Sequence, residues 1–154
     1  MRVILKSMTS AAALTTLATL SVFLAGCGQT QSGSAPSNGS AVQAVQAELG
    51  EYYIKLDRDS VPAGKVTFTV TNAGKMEHEL IILKTDLAVD KLPAEKDDAT
   101  RVDEDKVGNS GEVEEIGPGK TKTGDFDLTA GRYVLICNKA GHYLAGQRIA
   151  FRVT

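Results

Sequence analysis

The chain has 154 residues, 17 of them basic and 19 acidic, for a formal net charge of −2. That length suits one domain with appendages. No basic patch and no interleaving of basic and aromatic residues is present, which argues against a nucleic-acid partner.

Residues 1–26 read as a signal segment. Arg2 and Lys6 make a positive start, and Ala11 to Ala25 form an uncharged apolar stretch. It ends in Leu24-Ala25-Gly26-Cys27, which resembles a bacterial lipobox, with Cys27 as the lipidated first residue of the mature chain. Several acyl chains on one cysteine would hold the protein on a membrane without a transmembrane helix. Gly28 to Ser40 is rich in Gly, Ser, Gln and Pro and reads as a flexible tether. Ala41 to Leu49 is ambiguous between more tether and a short helix, so 27–49 is assigned to the tether and the folded domain to 50–154.

Within that domain, Tyr53 to Asp57 has the composition of a strand, and Val61 to Gly64 that of a turn. Lys65 to Thr71 alternates, with Val66, Phe68 and Val70 on one face of a half-buried strand. After a turn at Asn72 to Lys75, His78 to Lys84 is a nearly continuous apolar run, as a core strand requires. Asp86 to Glu115 holds 11 acidic and 4 basic residues. It reads as a solvated excursion, a charged loop with a short helix around 86–110, although such a field could also steer a partner. Strands follow at Thr121 to Leu128, Arg132 to Cys137 and Gln147 to Val153. Short strands separated by turn signals predict an all-β, antiparallel sandwich.

The chemistry is concentrated between Cys137 and Gln147, in CNKAGHYLAGQ. With Cys27 assigned to the anchor, Cys137 has no cysteine to pair with. His142 follows it on the same short loop, Gln147 closes the loop, and Gly141 and Gly146 allow the backbone to double back. The only other histidine, His78, opens the core strand. Two imidazoles, a thiolate and a weak axial oxygen are the parts of a site that suits both Cu(I) and Cu(II). Zinc also accepts Cys and His, so the ligand types alone leave the metal open.

The C-terminal segment GRYVLICNKAGHYLAGQRIAFRV and the upstream TFTVTNAGKMEHELIIL resemble the ligand loop and first-histidine region of the cupredoxins, the small blue-copper proteins of the plastocyanin, azurin, rusticyanin and auracyanin group. The resemblance spans residues 50–154. It implies a Greek-key β-sandwich holding one type 1 copper, with His78, Cys137 and His142 as equatorial ligands. Two departures stand out. Gln147 occupies the axial place where most of these families have methionine and the stellacyanins have glutamine. Glu79 stands where many have an asparagine that ties the two ligand loops together. Met76 reads as core near the site.

By the same resemblance, Ala140, Tyr143, Leu144 and Ala145 around His142 form the docking surface for a redox partner protein, though Tyr143 and Leu144 could instead cap the core. Together with the lipobox, the ligand set points to a monomeric, membrane-tethered electron carrier outside the cytoplasm rather than an enzyme. Copper delivery, storage or resistance is the competing reading, and a Cys137 nucleophile with a histidine base is a third.

Overall fold

The computed structural model describes residues 41–154. The signal segment, Cys27 and the Gly28 to Ser40 tether lie outside the described residues. In chain order the elements are β1 (Gln43–Gly50), β2 (Tyr53–Leu56), β3 (Ser60–Val61), β4 (Gly64–Asn72), β5 (His78–Lys84), a 3-10 turn (Glu104–Lys106), β6 (Asn109–Ile116), β7 (Thr121–Leu128), β8 (Gly131–Ile136), α1 (His142–Ala145) and β9 (Arg148–Val153). They form a four-stranded sheet in the order β2-β1-β4-β7 and a five-stranded sheet in the order β3-β9-β8-β5-β6. The all-β sandwich is therefore as expected. Its sheets are mixed rather than antiparallel, because β1 runs parallel to β4 and β3 parallel to β9.

Strand β1 corrects the reading of Ala41 to Leu49. Alanine, glutamine and glutamate suit a helix intrinsically, but Val45, Ala47 and Leu49 also alternate, and all three are buried. Pairing with β2 and β4 on its two sides overrides the local preference. Strand β3 runs into the start of the stretch read as a turn, at Val61, and β6 lies almost wholly in the charged stretch. The sequence of β6, NSGEVEEI, buries only Val113 and Ile116. It is an edge strand, where exposed charge is a common protection against further pairing.

The core lies between the sheets. Val45, Leu49, Val66, Phe68 and Val70 from one sheet meet Leu80, Ile82, Leu135, Phe151 and Val153 from the other. Strand β5 is apolar from Leu80 to Leu83, where both of its faces are covered. Leu80 and Ile82 point into the sandwich, whereas Ile81 and Leu83 belong to a second cluster with Leu92, Val102, Val107, Val134, Ile136 and Tyr143. The acidic stretch is thus not a solvated excursion. It lays Leu92, Val102 and Val107 across the outer face of the five-stranded sheet, fastened by an Ala94–Val102 bridge, and turns its carboxylates outward.

Candidate metal centre

His78 opens β5, Cys137 directly follows β8, and Gln147 directly precedes β9. Strands β5 and β8 are antiparallel neighbours, as are β8 and β9, so all three residues reach the same end of one sheet. The Cys137 amide donates to the Gln147 carbonyl at 3.1 Å, which closes the neck of the loop. Within the loop α1 is a single turn. Gly141 (φ 80°) precedes it and Gly146 (φ 116°) follows it, both left-handed, a conformation that favours glycine. A side chain at Gly146 would also approach the Tyr52 carbonyl at 3.3 Å.

The donors converge. Cys137 Sγ lies 3.4 Å from His142 Nδ1 and 3.8 Å from His78 Nδ1, and the three ligand atoms fall within 4.8 Å of one another. Metal–nitrogen bonds of about 2.0 Å and a metal–sulfur bond of about 2.3 Å, opened to trigonal or tetrahedral angles, separate N from S by about 3.5–3.7 Å. The observed spacing therefore fits a metal. The Gln147 side chain is fully buried, with Nε2 3.1 Å from His78 Nδ1 and Oε1 lacking any hydrogen-bond donor. A half-turn of the amide would direct that oxygen at the cluster instead. A buried, unpaired oxygen beside two imidazoles and a thiol is costly unless a cation uses it.

Burial holds the His78 imidazole below the usual histidine range, and the neighbouring His142 adds to the effect. Burial pushes the Cys137 thiol up, against the pull of the Lys139 and Glu79 backbone amides. Without metal, burial thus favours the neutral ring, whose lone pair a metal can take, and the protonated thiol, whose proton a metal must displace.

The surrounding residues fix these donors. Glu79 takes over the tie that asparagine would make, as its Oε1 accepts the Asn138 amide at 3.0 Å. This bond links the two ligand segments. The Asn138 side chain grips the covering segment, accepting from the Val102 amide at 2.7 Å and donating to the Val102 carbonyl at 3.0 Å. Asn72 Nδ2 donates to the carbonyls of Met76 and Ile116, both at 2.7 Å, and so braces the approach to His78. The Glu51 carboxylate accepts the amides of Lys75 and Met76 and lies 3.8 Å from His78 Nε2, beyond hydrogen-bond reach. Met76 is 38% exposed and is not part of the core.

Of the four residues expected to flank His142 at the surface, Ala140, Leu144 and Ala145 are exposed. Tyr143 is buried instead. Its hydroxyl accepts from the Leu92 amide and donates to the Val89 carbonyl, each at 3.0 Å, so it caps the core. Its place at the surface is taken by Tyr52, which is 47% exposed and meets His142 edge-on at 5.7 Å. Tyr52 holds a left-handed φ of 68° in the turn between β1 and β2. A non-glycine residue pays for that conformation, and such strain tends to gather at functional sites. No sequence signal marked Tyr52, because its turn was assigned to the edge of the domain.

A family model for the sulfocyanin (SoxE) domain matches residues 24–154. No curated protein matches the chain. Among solved structures, reduced auracyanin from Roseiflexus castenholzii is 24% identical, with a TM-score of 0.52, over 75% of this chain and 98% of that one. Rusticyanin from Thiobacillus ferrooxidans is 18% identical, with a TM-score of 0.57, over 73% and 77% of the two chains. A rusticyanin variant with glutamine in place of a methionine gives 20% identity and a TM-score of 0.57, over 73% and 78%. At these identities the structural likeness establishes the fold alone.

Proposed function

Because the chain belongs to the sulfocyanin (SoxE) family, we propose that it carries electrons on one copper held by His78, Cys137 and His142, with Gln147 as the axial ligand. The protein is a cupredoxin, and its His–Cys–His cluster suits one type 1 copper. Bound there, copper would cycle between Cu(I) and Cu(II). The observation that carries the reading is the convergence of Cys137 Sγ with two imidazole Nδ1 atoms in a buried pocket. Donors fixed by packing and hydrogen bonds rearrange little when the metal changes charge, which favours rapid electron transfer.

His78, Cys137 and Gln147 are fully buried, and His142 is 8% exposed. The His142 edge is thus the short route to the surface, and Tyr52, Ala140, Leu144 and Ala145 around it form the patch on which a redox partner docks. The same burial weighs against copper delivery, since an acceptor would have to reach the metal by ligand exchange. Among the described residues no helix is long and apolar enough to cross a membrane. The lipobox at Leu24 to Cys27 supports attachment through a lipidated Cys27, on the extracytoplasmic face.

The deciding measurement is an absorption and EPR spectrum of copper-loaded protein. An intense thiolate-to-copper band in the visible, lost in Cys137→Ser, is expected. A colourless Cu(II) form would overturn the assignment.

A further inference from the structure

Glu79 and Lys139 stand beside the donors without belonging to them. Glu79 directly follows His78, and its side chain crosses to the other ligand segment, where Oε1 accepts the amide of Asn138, the residue after Cys137. One carboxylate thus links the neighbours of two donors that are 59 positions apart. Glu79 is 8% exposed, so its charge is screened by little water. Its second oxygen lies 3.5 Å from Lys139 Nζ, which also donates to Glu77 Oε1 at 2.9 Å. Lys139 keeps 29% of its side chain exposed and Glu77 keeps 51%, so the chain of charges runs from the buried site to solvent.

We infer that Glu79 is a positioning residue with a second effect: it fixes the Cys137 segment through the Asn138 amide, and its charge, opposed by Lys139, sets the reduction potential. The inference rests on the copper reading above. An oxidised site has one more positive charge than a reduced one. A nearby carboxylate therefore favours the oxidised state and lowers the potential, and a nearby ammonium does the reverse. A neutral amide in place of Glu79 would keep the acceptor but not the charge, so the two roles are separable by substitution.

The test compares the wild-type copper protein with Glu79→Gln, Glu79→Ala and Lys139→Met. Potentials are measured by titration, absorption spectra on the loaded form, and thermal unfolding on the copper-free form. Glu79→Gln should raise the potential and keep the wild-type band. Lys139→Met should lower the potential. Glu79→Ala should raise it too, shift or broaden the band, and lower the unfolding midpoint of the copper-free protein below that of Glu79→Gln.

Potentials that do not move, or that move the same way in Glu79→Gln and Lys139→Met, would overturn the charge role. An Ala variant matching the Gln variant in band and midpoint would overturn the positioning role. A wild-type protein with no thiolate-to-copper band would instead fail the copper reading, before any variant is compared.

Discussion

Gln147 is the residue on which the character of the site turns. An amide oxygen is a harder donor than a thioether and favours Cu(II), so it should hold the potential down. Gln147→Met is therefore expected to raise the reduction potential, and an unchanged value in redox titration would mean that Gln147 is not axial. Its side chain is fully buried and lies against His78 Nδ1, within reach of the site. Asn138 matters at the same scale for a different reason. Its side chain satisfies both backbone groups of Val102 inside the protein. Asn138→Ala would leave that amide and carbonyl buried and unpaired, at a cost of about 1–3 kcal/mol. Denaturant unfolding of the copper-free protein would detect that loss, and a change within error would mean that water replaces the side chain.

Among the elements, the ligand loop is gripped from two directions. The sheet holds its neck through β8 and β9. The segment between β5 and β6 holds its outer side, through Asn138, through the Gly141 amide donating to the Thr100 carbonyl at 3.0 Å, and through the Tyr143 hydroxyl. What remains free is the apex, where Leu144 is 58% exposed beside His142. Leu144→Glu should slow electron self-exchange, measured by NMR line broadening in mixtures of oxidised and reduced protein, because two like charges would meet at the contact. Its potential and spectrum should stay near wild type, and an unchanged exchange rate would place the docking patch elsewhere. The loop was legible in the sequence because cysteine, histidine and glutamine lie close together, and His78 because it opens an alternating strand's successor. The supporting residues were less so. Glu79 was marked only as a departure from the family pattern, and Asn138 and Glu51 act through contacts distant along the chain and would be ordinary polar residues without the fold. Strand β1 was missed because Ala, Gln and Glu favour a helix locally, and its register depends on β4. The covering role of the acidic segment was hidden because only a few apolar residues, Leu92, Val102 and Val107 among them, anchor it.

For the molecule as a whole, metal binding, protonation and folding are linked. The buried His78 holds its proton less tightly in the folded state than in an unfolded chain, with burial the main cause, His142 and Lys139 adding to it and Glu51 opposing. Below the unfolded value of about 6.5 the unfolded chain then binds more protons. Copper-free protein should therefore lose stability as pH falls through about 6.5 toward the lower folded value. Glu51 acts in the same direction at lower pH. The Lys75 and Met76 amides hold its carboxyl below the usual range, so its contribution is lost as pH falls through the depressed folded value. Copper adds a further proton linkage. The Cys137 thiol, raised by burial, keeps its proton in the metal-free fold and must release it to bind. Binding that expels a proton weakens as the solution is acidified, and the stabilisation that copper confers follows its affinity. The gap between the unfolding midpoints of copper-loaded and copper-free protein is accordingly expected to narrow steadily from about pH 8 to about pH 5. Scanning calorimetry at fixed copper concentration measures both midpoints. A gap that stayed constant over that range would mean that no proton leaves on binding, and so that Cys137 does not enter the metal site as a thiolate.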